Sequence, residues 1–174
     1  SELPISVTAA PWPSAGGLWV HAASVGEVRA AEHFLRGLPA RFPGVPRLLT
    51  TTTVNGKELA QRLGVADVVR LAPIDRPGAV RRLIRRARPR ALILVETEIW
   101  PHWLKTLEEA RVPVVVVNGR ISDGAYPFYS RLKSVLSPLL FGLARVGVQS
   151  PIHASRFLQL GAHPTAVVIT GNLK

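Results

Sequence analysis

The stretch "WVHAASVGEVRAAEHFLRGL", residues 19–38, runs from an apolar segment through one Ser and one Gly into apolar positions at helical spacing. An extended run that turns at Ser24 and continues as an amphipathic helix is one strand-turn-helix unit, so it predicts α/β architecture. Two readings of Glu27 stand side by side. Ser24 and Glu27 have the spacing of a capping box, in which the Ser side chain bonds the Glu27 amide and the carboxylate reaches back to the Ser24 amide. A carboxylate in a first helical turn is also favoured in its ionised form by the helix dipole and free amides. It is therefore expected to be charged at neutral pH and suited to take a proton from an attacking hydroxyl, with Gly26 leaving the backbone open to a close ligand.

Outward from this stretch the pattern repeats. The short runs "GLWVHAA", "PRLLTTTT", "VVRLAP", "RALILVE", "VPVVVVN", "RVGVQ" and "AVVITG" alternate with helix-period segments. Apolar runs of this length between helices predict a parallel sheet covered on both faces, which is a Rossmann-like domain. Helix starts are expected where Asn55 precedes Glu58 by three, where Pro101 follows Trp100, and where Pro151 follows Ser150.

Polar residues gather where each strand should end: Ser24 to Glu27, Thr50 to Thr53, Asp75, Glu96 with Glu98, Asn118 with Arg120, Gln149 with Ser150, and Gly171 with Asn172. Ligands of open α/β sheets bind beyond the carboxyl ends of the strands, so this edge is the expected site. Glu96 and Glu98 are two apart and should point the same way if their segment stays extended; each could instead pair with a nearby Arg. Arg120 is either a forked donor for phosphate or carboxylate, or a surface ion-pair partner.

Composition narrows the chemistry. The chain has 174 residues, is 47% hydrophobic, and carries a formal charge of +11 with no Cys and no Met. Without Cys there are no disulfides, thiolate catalysis or Cys-based zinc sites. No apolar run approaches the roughly 20 residues of a membrane span. A chain lacking Met even at position 1 is expected to be either cut from a longer one or processed at its start, which brings a partner domain elsewhere into consideration. The charge favours anionic partners and concentrates in residues 76–90, "RPGAVRRLIRRARPR", where Val80, Leu83, Ile84 and Ala87 fall on one helical face. That helix is either a solvated surface or one that lies against anionic headgroups.

No G-x-G-x-x-G follows the first strand and no P-loop pattern occurs, so nucleotide binding of either kind is not expected in this domain. His21, His33, His102, His153 and His163 lack metal-ligand spacing, and neither a metal nor a cofactor is assigned. A nucleic-acid module would also suit the charge, but its basic stretch should interleave stacking aromatics and "RRLIRRARPR" has none. A non-catalytic Rossmann-like module, with Glu27 as a cap only, is the other alternative.

Together, "WVHAASVGE", "TTTT" with "NGKELA", "LILVETEIWP", "VPVVVVNGRIS" and "TGNLK" resemble the N-terminal half of the 3-deoxy-D-manno-octulosonate (Kdo) transferases. The likeness covers nearly the whole chain from Trp19 on. It implies a GT-B fold, with residues 1–17 as an irregular lead-in, 18–174 as a Rossmann-like acceptor-binding domain, and a CMP-Kdo-binding domain beyond. It also implies metal-free, inverting transfer of Kdo from CMP-Kdo to the lipid A precursor, on the cytoplasmic face of the inner membrane, with peripheral attachment through the basic face.

By the same resemblance Glu27 is the general base, Glu98 stabilises the transition state, and Lys174 balances charge on the departing phosphate. Ser24, Gly26, Thr53 and Arg120 become the acceptor-binding candidates. Gly124 and Ala125 depart from the family, whose members usually carry Arg-Ser or a similar pair there. The isolated chain is expected to be inactive without its donor domain.

Overall fold

The computed structural model describes residues 15–173. Lys174 and most of the expected lead-in lie outside that range.

Seven strands alternate with helices. They are β1 (Leu18–His21), β2 (Arg47–Thr51), β3 (Val68–Leu71), β4 (Ala91–Val95), β5 (Val114–Gly119), β6 (Arg145–Val148) and β7 (Val167–Ile169). All pair in parallel, in the order β3-β2-β1-β4-β5-β6-β7. The seven apolar runs of the sequence supply these strands one for one. The strand order reverses between β1 and β4, and the crevice beyond that reversal is where doubly wound sheets bind ligands.

The period-two pattern of the strands sorts the core into two layers. Leu18, Val20, Leu49, Ile93 and Val95 face one way, onto α1 (Val25–Arg41) and α2 (Val54–Leu63), where Val28, Leu35 and Leu59 are buried. Trp19, Leu48, Leu92 and Leu94 face the other way. That layer is closed by α3 (Pro77–Ala87), α4 (Pro101–Glu109), α6 (Lys133–Phe141) and α7 (Pro151–Leu160). A short α5 (Tyr126–Arg131) precedes α6. Among the described residues no helix is long and apolar enough to cross a membrane.

Several local expectations hold and one moves. Pro101 and Pro151 open α4 and α7 directly after Trp100 and Ser150. In α3, Val80, Leu83 and Ala87 are buried and Ile84 is partly so, leaving Arg82 and Arg85 exposed. The second helix does not start at Asn55. Its cap is Thr53, whose hydroxyl accepts from the Gly56 amide at 3.1 Å, and Asn55 lies inside the first turn. The Thr53 hydroxyl is two residues closer to the strand end and reaches a free amide, which is what a cap requires.

The ends of β4 and β5 decide the shape of the carboxyl edge. Glu96 has φ 63 and Asn118 has φ 55, both in the left-handed region, where most residues are strained. The β5–β6 register shifts between Val116 and Gly119, at the same level. The segment after β4 therefore bends at Glu96 and does not stay extended.

Candidate functional site

The capping box is present and differs in one bond. Ser24 is the N-cap of α1 and its Oγ accepts from the Glu27 amide at 3.3 Å. The Glu27 carboxylate bypasses the Ser24 amide and accepts from the Ala23 amide at 2.7 Å, while Ser24 Oγ donates to its other oxygen at 3.2 Å. Reaching back one residue further turns the carboxylate along the carboxyl edge of the sheet.

There it meets the acids that follow β4. Glu27, Glu96, Glu98, Arg120 and Tyr129 line a single cavity of about 170 Å³. Glu27 was expected to be ionised at neutral pH, and here the structure departs from the sequence. Burial, followed by the charges of Glu98 and Glu96, pushes its pKa up to about 7 against the opposing hydrogen bonds from Ala23 and Ser24. A helix start favours the charge only where water also reaches it, and two neighbouring acids in a half-closed cavity override that preference.

Glu98 is held from two sides. The Trp100 indole N–H donates to its Oε2 at 2.7 Å, and Nε2 of the buried His21 lies 3.7 Å from the same oxygen. Arg120 Nε approaches Glu96 Oε2 at 3.9 Å, a loose pairing that leaves the guanidinium half exposed. Tyr129, on α5, adds a phenol whose pKa is raised by burial and by Glu98. A cavity of about 330 Å³ adjoins, sharing Arg120 and Ser122 and lined further by Gln149, His153 and Arg156. Arg156 is already paired with the Asp123 carboxylate and the Ile121 carbonyl.

The other candidates divide. Gly26 is exposed beside Glu27, and a Cβ built on it would meet nothing nearer than Ser24 Oγ at 3.8 Å. Thr53 serves as the cap of α2, and its loop is tied to the loop after β1 by hydrogen bonds from the Thr52 and Thr53 amides to the Ala23 carbonyl, at 2.9 and 3.3 Å. Asp75, counted among the edge residues, accepts from the Trp103 amide at 3.1 Å and so caps α4 across a neighbouring loop. Asn118 Oδ1 accepts from the Leu173 amide at 3.1 Å, which fastens the end of the described chain to the site edge.

Tyr129 and His21 were not singled out for the site from sequence. Tyr129 sits on a helix of six residues with no amphipathic signal of its own, and the His21 relation to Glu98 joins two strand ends far apart in the chain. A cavity at the opposite edge of the sheet, about 230 Å³ and lined by Leu104, Arg111 and Val114 among others, contains none of these acids and has Glu108 on its wall.

A seven-stranded parallel sheet with an acidic cleft at the strand-order reversal defines a Rossmann-like α/β domain. Solved structures agree on the fold. A UDP-N-acetylglucosamine 2-epimerase superposes with TM-score 0.65 at 9% identity, over 91% of this chain and 48% of that one. The Neisseria meningitidis UDP-GlcNAc 2-epimerase, bound to UDP-GlcNAc, gives 0.64 at 11% identity, over 90% and 47%.

Residues 5–174 match the family model described as 3-Deoxy-D-manno-octulosonic-acid transferase (kdotransferase), and the chain belongs to that family. It is 39% identical over 171 residues to the 3-deoxy-D-manno-octulosonic acid transferase of Bordetella pertussis, covering 95% of this chain and 39% of that protein. It is 32% identical over 163 residues to the Haemophilus influenzae enzyme of the same name, covering 93% and 38%. A bifunctional glycosyltransferase/methyltransferase of Fusobacterium nucleatum is 34% identical over 164 residues, covering 90% and 25%. The chain thus spans well under half the length of these relatives.

Proposed function

We propose that this chain is the acceptor-binding half of a glycosyltransferase that moves Kdo from CMP-Kdo to a hydroxyl of the lipid A precursor, lipid IVA, with inversion. Glu27 takes the proton of the acceptor hydroxyl as its oxygen attacks the anomeric carbon of Kdo. The bond from that carbon to the phosphate oxygen breaks on the opposite face, and CMP leaves with the electron pair. Glu98 faces the positive charge that develops on the sugar, and Lys174 offsets the negative charge that develops on the phosphate.

The observation that carries this reading is the half-buried carboxylate of Glu27, with a pKa of about 7, sharing one cleft with Glu96 and Glu98. A base whose pKa lies near the working pH combines a useful unprotonated fraction with proton affinity. In this reading Ser24 and Gly26 shape the acceptor loop, Thr53 borders it, and Arg120, loosely paired and half exposed, meets an acceptor phosphate. CMP-Kdo is held by a second domain beyond this chain. The exposed arginines of α3 attach the protein peripherally to the anionic cytoplasmic face of the inner membrane.

The test is Kdo transfer by the full-length enzyme carrying Glu27→Gln. Gln keeps the capping geometry but cannot accept the proton. A loss on the order of 10²-fold to 10⁴-fold in rate with no fall in melting temperature is expected. An unchanged rate would reduce Glu27 to a cap and overturn the assignment.

A further inference from the structure

His21 is fully buried on β1, yet its Nε2 has no hydrogen-bond partner. A buried polar atom left unsatisfied is costly and rare, so its surroundings call for a physical account. Its other ring nitrogen, Nδ1, lies 3.0 Å from Thr50 Oγ1. That hydroxyl receives the Trp19 indole N–H at 2.8 Å, which leaves it one proton to give. The His21 nitrogen at 3.0 Å is nearer to it than the Val20 carbonyl at 3.4 Å. Giving that proton to Nδ1 makes Nδ1 an acceptor and leaves the ring proton on Nε2, the tautomer that turns a donor toward Glu98.

Nε2 faces Glu98 Oε2 at 3.7 Å, longer than a hydrogen bond and within reach of one on a small side-chain adjustment. Such contacts in empty sites commonly tighten when substrate arrives. The ring cannot turn away easily. It stands edge-on to Trp103 at 4.9 Å, and Trp103 stacks at 6.0 Å on Trp100, the residue whose indole N–H already donates to the same Glu98 oxygen.

We propose that His21 is a positioning residue that acts through Glu98, its Nε2–H joining the Trp100 indole to fix the carboxylate against the cleft, with Thr50 and Trp19 setting the tautomer. The inference rests on the reading of this cleft as the transfer site. It assigns to the buried end of β1 a part in the reaction that no substrate-facing atom of that strand supplies.

The experiment is a double-mutant cycle on Kdo transfer by the full-length enzyme, with His21→Phe, Glu98→Gln and the pair. His21→Phe keeps an aromatic ring, of somewhat larger volume, and removes both nitrogens. It is expected to lower kcat by roughly 10-fold, the size of one hydrogen bond to a charged group, with the acceptor KM little changed. In the Glu98→Gln background the same substitution should cost almost nothing, because residues that act through one another are not additive. His21→Gln, whose amide can take the place of Nε2–H, should recover most of the rate.

Equal losses from His21→Phe in both backgrounds, or no loss in the native one, would overturn the inference. An unchanged rate for Glu98→Gln alone would instead sink the role of Glu98 and leave His21 as core packing. If His21→Phe does not fold, His21→Asn replaces it in the cycle, since that shorter amide can still meet Thr50 but cannot reach Glu98.

Discussion

Glu27 and Glu98, carried by turns after two strands that are neighbours only in space, stand in one cavity, where the charge of Glu98 helps to raise the Glu27 pKa to about 7. The relation has a kinetic consequence. Transfer should increase with pH through about 7 as Glu27 loses its proton, and the kcat/KM profile of the full-length enzyme should show that limb. Glu98→Gln removes one of the raising charges, so the limb that remains should move to lower pH. Burial is the larger cause, so the limb should move only part of the way back to 4.5.

The same carboxyl group leaves a signature in stability. Its folded pKa lies above the ordinary value of 4.5, so between 4.5 and about 7 the folded state retains a proton that the unfolded state has released. Stability is then full below 4.5, falls as pH rises through that window, and stays reduced above it. Each unit of difference is worth about 1.4 kcal/mol before screening by solvent at this open site, so the total is on the order of 2 kcal/mol. Urea unfolding of wild type and Glu27→Gln at pH 4 and pH 8 checks this. Glu27→Gln should gain relative to wild type at the higher pH.

Gly26→Ala separates folding from binding at a single atom. The added methyl meets only Ser24 Oγ at 3.8 Å, and the position is helical. Alanine should therefore stabilise the fold by about 0.5–1 kcal/mol. If an acceptor approaches the backbone at Gly26, the same methyl should raise its KM. A thermal melt together with acceptor titration of the full-length enzyme reads both, and a raised melting temperature with unchanged KM would remove Gly26 from the acceptor loop.

Trp100→Phe withdraws the 2.7 Å donor from Glu98 while keeping an aromatic face for Trp103. A rate loss of roughly 10-fold is expected from a hydrogen bond to a charged group. Melting and transfer assays on the same preparation distinguish it from a packing defect, which would lower the melting temperature as well.

Attachment to membranes should follow Arg82 and Arg85, which are exposed on α3. Replacing both by Glu should weaken sedimentation with vesicles containing anionic lipid at low salt, and added salt should narrow the difference from wild type. Equal binding by the two proteins would show that α3 is a solvated surface.

Much of the fold was legible because it is written in local periods. Each apolar run of four to eight residues became a strand, and the alternation of Trp19 with Val20 or Leu48 with Leu49 sorts the two core layers. Ser24 with Glu27 was legible for the same reason. What escaped was set by the third dimension. A local pattern cannot tell that Glu27 becomes half-buried beside two acids from another turn, so it does not announce the raised pKa. Nor does spacing reveal that the chain bends at Glu96, since left-handed backbone there has no glycine to announce it.

That bend and its counterpart at Asn118 imply something about variation in this protein. A β-branched side chain at either position would resist the left-handed torsion at φ 63 or φ 55 and straighten the strand end. At Asn118 every acid would then be retained and the hollow between them still be lost. A substitution at Asn118 is thus able to silence the cleft by its shape alone, with its chemistry intact.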